Sequence, residues 1–112
     1  MIVTAWNNGS HTKSGAGYGV KLDANDRDRF FNQTWKTITL ELEGSSNPVE
    51  VNVAKPSFWV STCRELIDAE IGRWLIRNGL APWPKGHPPK LSLKHIDSNR
   101  FLLMNRNEAS GI

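Results

Sequence analysis

One cysteine, Cys63, occurs in 112 residues, and that scarcity excludes two devices that organise small proteins. No internal disulfide can form, and no cysteine-based zinc site can be assembled. Long apolar runs are missing as well: no stretch approaches the roughly 18 consecutive apolar residues of a membrane-spanning helix. The first residues, Met1 to Asn8, show neither the basic start nor the apolar core of a secretory signal. A reducing, cytoplasmic location with no membrane insertion is the simplest expectation. His11, His87 and His95 share no ligand spacing, so neither a metal nor a cofactor is expected. Acids are scarce in one region above all. Between Ile71 and Asn107 a single acid, Asp97, faces seven Lys or Arg residues, a local charge of +6. Residues 1–70 carry nine acids against seven bases, and Glu108 brings the chain to its net +3.

What is abundant is tryptophan, five in a chain long enough for one core. Trp offers a large apolar area and one N–H that needs a partner, so a small Trp-rich protein uses it as core anchor, as ligand surface, or as both. Residues 1–104 read as one domain and the polar stretch 105–112 as a flexible tail.

Period-two alternation marks the strands. Met1–Trp6 is strand-like and ends at the breakers Asn7 to Ser10. Tyr18–Leu22 alternates, as do 35–42, with Ile38, Leu40 and Leu42 on one face, and Val49, Val51 and Val53 after the turn at Gly44–Pro48. Phe30 and Phe31 interrupt the polar connection 23–32, where a helical turn is expected. Thr62 followed by Glu65 resembles a capping box, and Gly79 supplies a stop, predicting one amphipathic helix from about Cys63 to Asn78. Four prolines between Leu80 and Lys90 impose an extended loop. Two further strands, Leu91–Ile96 and Phe101–Met104, turn through Asp97–Asn99. The expected fold is α+β, a mainly antiparallel sheet or small open β-barrel of about six strands in the order ββββαββ, with one helix packed against it.

The functional candidates follow from charge. Arg73 and Arg77 near the helix end, then Lys85, Lys90 and Lys94 with no acid between them, suit a polyanion, because each neutralised phosphate releases counterions. Trp83 and His87, held in a stiff proline loop, are placed to stack on bases. The opposing reading is that these bases solvate separate faces, with the arginines merely offsetting the helix dipole. The acid-free stretch Asn7–Gly19, with Lys13, Gly15 and Gly17, is a secondary candidate for an anion-binding loop. It lacks Walker A spacing and leads into a strand, and its glycines fit better a site where a helix or a large Trp packs closely on the backbone.

Cys63 is the one enzymatic candidate, a thiol at a helix start with His87 or His95 and Asp97 as partners. It also falls on the apolar face, as a buried small residue would. Glu70 reads as an edge residue paired with a nearby arginine. Asp23 to Arg29 has an arginine where a calcium loop needs an oxygen ligand, and so reads as a self-neutralising surface turn. The leading expectation is a non-enzymatic module binding nucleic acid or another polyanion. A protein-interaction or self-associating subunit is the alternative, and a small cysteine-dependent enzyme the second.

Overall fold

The alternating segments of the chain assemble into a single sheet in the computed structural model, which describes residues 1–60 and 64–106. In order, the elements are β1 (Ile2–Asn7), β2 (Tyr18–Lys21), α1 (Ala24–Phe30), β3 (Thr37–Leu42), β4 (Val49–Asn52), a 3₁₀ turn (Pro56–Trp59), β5 (Glu65–Ile67), α2 (Ala69–Arg77), β6 (Lys90–Asp97) and β7 (Arg100–Met104). The strands lie in the order β4-β3-β7-β6-β1-β2-β5. Neighbours are antiparallel except β3 and β7, which run parallel with Leu40 opposite Phe101. The outermost strands, β4 and β5, touch each other, so the sheet curls into a nearly closed, barrel-like form. The fold is α+β, as the sequence indicates, with seven strands among the described residues instead of six, and two α-helices instead of one.

The extra strand comes from the front of the expected helix. Glu65, Leu66 and Ile67 pair with Lys21, Val20 and Gly19 of β2, and Leu66 turns into the core. The helix begins only at Ala69, where the Asp68 side chain caps it by accepting from the Glu70 N–H at 2.8 Å. Three residues are too few to distinguish a period of 2 from one of 3.6, so the apolar spacing of Leu66 and Ile67 fits either element. Pairing with β2 decides the outcome. Thr62, the other half of the expected capping box, and Cys63 lie outside the described residues, as does 107–112 of the expected tail. Asn105 and Arg106 are held to Glu43 by hydrogen bonds of 2.9 and 3.1 Å.

Each end of the barrel is closed differently. At the end where β1, β3 and β7 finish, α2 buries Ile71, Trp74 and Leu75, and Trp74 Nε1 donates to the Glu43 carbonyl at 2.8 Å. That bond satisfies the indole inside the apolar seal. The opposite end is filled with aromatic rings: Phe31 stacks on Phe101 with centroids 4.5 Å apart, and Phe58 lies 5.5 Å from Phe31. Here Arg27 departs from the expected surface turn. It is 7% exposed, pairs with Asp28 at 3.0 Å, and donates to the carbonyls of Phe58 and Val60 at 3.0 and 2.8 Å. The guanidinium thereby ties α1 to the 3₁₀ turn. No helix among the described residues is long and apolar enough to cross a membrane.

Candidate functional site

The two acid-free loops singled out in the sequence meet at the helix-closed end. Tyr18, at the start of β2, is 1% exposed, and His11 of the β1–β2 loop lies over it with Nδ1 2.6 Å from the phenol oxygen. The other ring nitrogen, Nε2, faces Asn7 Nδ2 at 3.0 Å. Asn7 Oδ1 is already occupied by the Gly9 N–H at 2.8 Å, which fixes the amide so that Nδ2 donates to Nε2. The imidazole proton therefore sits on Nδ1 and is donated to Tyr18. Trp83 of the proline-rich loop closes the cluster edge to face, its centroid 5.1 Å from His11 and 5.7 Å from Tyr18. Burial pushes the Tyr18 phenol above its ordinary value of 10.0, so it stays neutral through the physiological range. With both nitrogens engaged, His11 acts as a latch between the loops and has no free base to offer a reaction.

The same loop is clamped to α2 from the other side. A side chain on Gly72 would collide with Gly15, whose Cα and carbonyl carbon would lie 2.6 and 2.7 Å away. Arg73 Nη1 donates to the Ser14 carbonyl at 2.8 Å. The close-packing reading of Gly15 thus describes its surroundings here, and its N–H is spent on the Thr12 carbonyl at 3.2 Å. Gly17 accepts from the Asn8 N–H at 2.9 Å and leaves room for the Asn8 side chain.

The charged candidates divide into three groups. Arg73 is paired with Glu70 as well as with Ser14. Lys13, Arg77 and Lys85 are exposed at the helix-closed end, and among the described residues none of them has a carboxylate partner. Three carboxylates of α2 and its surroundings are engaged: Asp68 caps α2, Glu70 holds Arg73, and Glu43 holds Arg106. His87 is exposed in the same proline-rich loop, with its N–H on the Pro84 carbonyl at 2.9 Å. Lys90 and Lys94 belong to neither loop. They point outward from β6, on the face opposite Leu91 and Leu93. Arg100, farther along, is held by Glu41 and Asp97, which raise its pKa by hydrogen bond and charge.

Two depressions had no sequence signal. The larger, about 750 Å³, lies at the aromatic end between Phe30, Trp35, Trp59 and His95; Arg29, beside Asp28, lies over the Phe30 ring. The smaller, about 440 Å³, is bordered by Thr4, Lys21, Arg64 and Lys90. Lys21 and Arg64 sit in the acidic part of the sequence, so a running charge count conceals them. Only the pairing of β2 with β1 and β5 brings them beside Lys90. Among the described residues no three His, Cys, Asp or Glu side chains gather as a metal site would require. No family model, curated protein or solved structure matches the chain.

Proposed function

We propose that this protein binds a polyanion, with nucleic acid the best-fitting class, at the helix-closed end of the barrel. The observation that carries the reading is the His11–Tyr18–Trp83 latch, which brings two acid-free loops side by side. Lys13, Arg77 and Lys85 supply positive charge there, His87 extends the surface, and Asp68, Glu70 and Glu43 are engaged elsewhere. Arg73 contributes less, since Glu70 offsets its charge. A surface of exposed cations suits phosphates, because attraction through counterion release needs charge more than shape.

A protein-interaction role draws less support. Trp83 is half-buried against His11 and Tyr18, and the sheet edges β4 and β5 lie against each other instead of offering a free strand.

Anisotropy titration of labelled single- and double-stranded oligonucleotides at two salt concentrations tests the proposal. Three phosphate contacts on a single strand predict that affinity falls about 20-fold between roughly 50 and 200 mM salt. Lys13→Ala and Lys85→Ala should each weaken binding and flatten that dependence. No binding at low salt, or binding indifferent to both changes, would overturn the reading.

A further inference from the structure

The outward face of β1 carries Ile2, Thr4 and Trp6, opposite the buried Val3 and Ala5. Trp6 is half-buried and lies outside the hydrophobic core cluster. Its cross-strand partner on β2 is Gly19, which has no side chain to cover the indole. Gly is required there for another reason too: a Cβ at Gly19 would collide with the Leu66 carbonyl of β5. One row along, Thr4 lies opposite Lys90 of β6 on one side and Lys21 of β2 on the other. At strand spacings near 4.8 Å, this sets two ammonium groups on either side of a small hydroxyl, about 10 Å apart at the backbone. Lys90 Nζ reaches the Thr4 hydroxyl at 3.2 Å. Arg64 joins them at the depression, its Nε anchored on the Leu22 carbonyl at 2.9 Å.

We infer that this outward face, Trp6 with Lys21, Arg64 and Lys90, seats a single nucleic-acid strand, one base stacking on Trp6 and the adjoining phosphates lying over the Lys21–Thr4–Lys90 row. The inference rests on the polyanion reading above and gives it a path. The proline-rich loop runs directly into this face, since the Ala5 N–H donates to the Pro89 carbonyl at 2.9 Å before β6 begins at Lys90. A strand leaving Lys85 and His87 therefore meets Trp6 next, then the basic row.

An indole offers a π-face to any base, whereas a duplex keeps its bases stacked inward, so Trp6 selects for single strands. Glu65, next in the row beyond Lys21, is buried, so two carboxylates set the limit of the path: Asp23 and Asp26, which border the depression on the α1 side. They repel phosphate and turn the backbone toward Lys94, which is exposed two residues past the buried Ser92.

The test compares Trp6→Leu, Lys21→Gln, Lys90→Gln and Thr4→Glu with Lys85→Ala in the full chain. The probes are a short labelled oligothymidine and a duplex of equal length, with folding checked by far-UV circular dichroism. Trp6→Leu should weaken the single strand by about 5- to 100-fold and leave the duplex unchanged. Each lysine change should lower the salt slope by about 0.7, and Thr4→Glu should weaken the single strand at least about 10-fold. Should Trp6→Leu fail to fold, Lys21→Gln and Thr4→Glu still decide. If the parent protein binds and Lys85→Ala weakens it, while Trp6→Leu, Lys21→Gln and Thr4→Glu bind as the parent does, the sheet-face path is wrong and the loop-end reading stands. If the parent protein binds neither probe, the polyanion reading itself falls.

Discussion

Replacing Gly72 by alanine sets two physical effects against each other, and the structure decides the sign. Gly72 lies inside α2, where alanine gains about 1 kcal/mol over glycine from backbone entropy alone. The new methyl, however, would stand 2.6 Å from Gly15 Cα and 2.7 Å from its carbonyl carbon, where ordinary contact begins near 3.4 Å. The β1–β2 loop must then retreat by nearly 1 Å. Its clamp resists, because the obstacle is backbone on both sides and not the tip of a flexible side chain. Overpacking of this kind costs about 1–3 kcal/mol. Weakening the half-exposed bond from Arg73 to the Ser14 carbonyl adds about 1 kcal/mol.

Set against the helical gain, the net expectation is a loss of about 1–3 kcal/mol, read in urea denaturation as a midpoint lower by about 1 M at unchanged slope. Gly79→Ala provides the contrast. Gly79 has a positive φ of 71° but nothing within 4 Å of a Cβ, so it should lose only about 1 kcal/mol, from strain. A Gly72→Ala protein as stable as the parent, or more so, would refute the claim that the loop and helix backbones are locked together.

Tyr18 is the only tyrosine, so absorbance near 295 nm reads it directly. Its folded pKa lies above the unfolded 10.0, so stability from this group is complete below pH 10 and declines as pH rises beyond it; the native midpoint should exceed the one in urea. His11→Ala should uncover the phenol and move that midpoint back toward 10.0, while costing about 1–2 kcal/mol in lost hydrogen bonds and ring contact. An unmoved midpoint would mean that His11 does not shield Tyr18. Arg27→Met should lower thermal and urea stability by about 2–3 kcal/mol, because the Phe58 and Val60 carbonyls lose their donor. A change within about 0.5 kcal/mol would show that water replaces the guanidinium at no cost.

Some of this architecture was legible residue by residue. Ile38, Leu40 and Leu42 alternate cleanly and are buried on one face of β3; Val49, Val51 and Val53 do the same in and just after β4. Gly79 marks the end of α2, and its positive φ is the conformation a helix stop requires. Other features had local signals compatible with two answers. The apolar spacing at Leu66 and Ile67 fits a helix face as well as a three-residue strand, and Arg27 among Asp26 and Asp28 looks solvated until its reach to Phe58 and Val60 is known. Gly15 and Gly72, 57 positions apart, show no relation in the sequence, yet Gly72 is glycine because the Gly15 backbone lies against it, and a Cβ on Gly15 would in turn collide with the Ala69 carbonyl and the Arg73 N–H of the same helix.

The sequence by itself determined the class of fold, where most strands run, and that positive charge would dominate the last third of the chain. These are properties of short windows, set by alternation, turn chemistry and composition. The tertiary structure alone decided the strand order, the parallel contact of β3 with β7, the meeting of His11 and Trp83, and the gathering of Lys21, Arg64 and Lys90 around Thr4. Such contacts join residues tens of positions apart, and they form only when the whole core can be buried at once. No local preference encodes them, because many distant partners would satisfy each segment equally well until the closed barrel selects one.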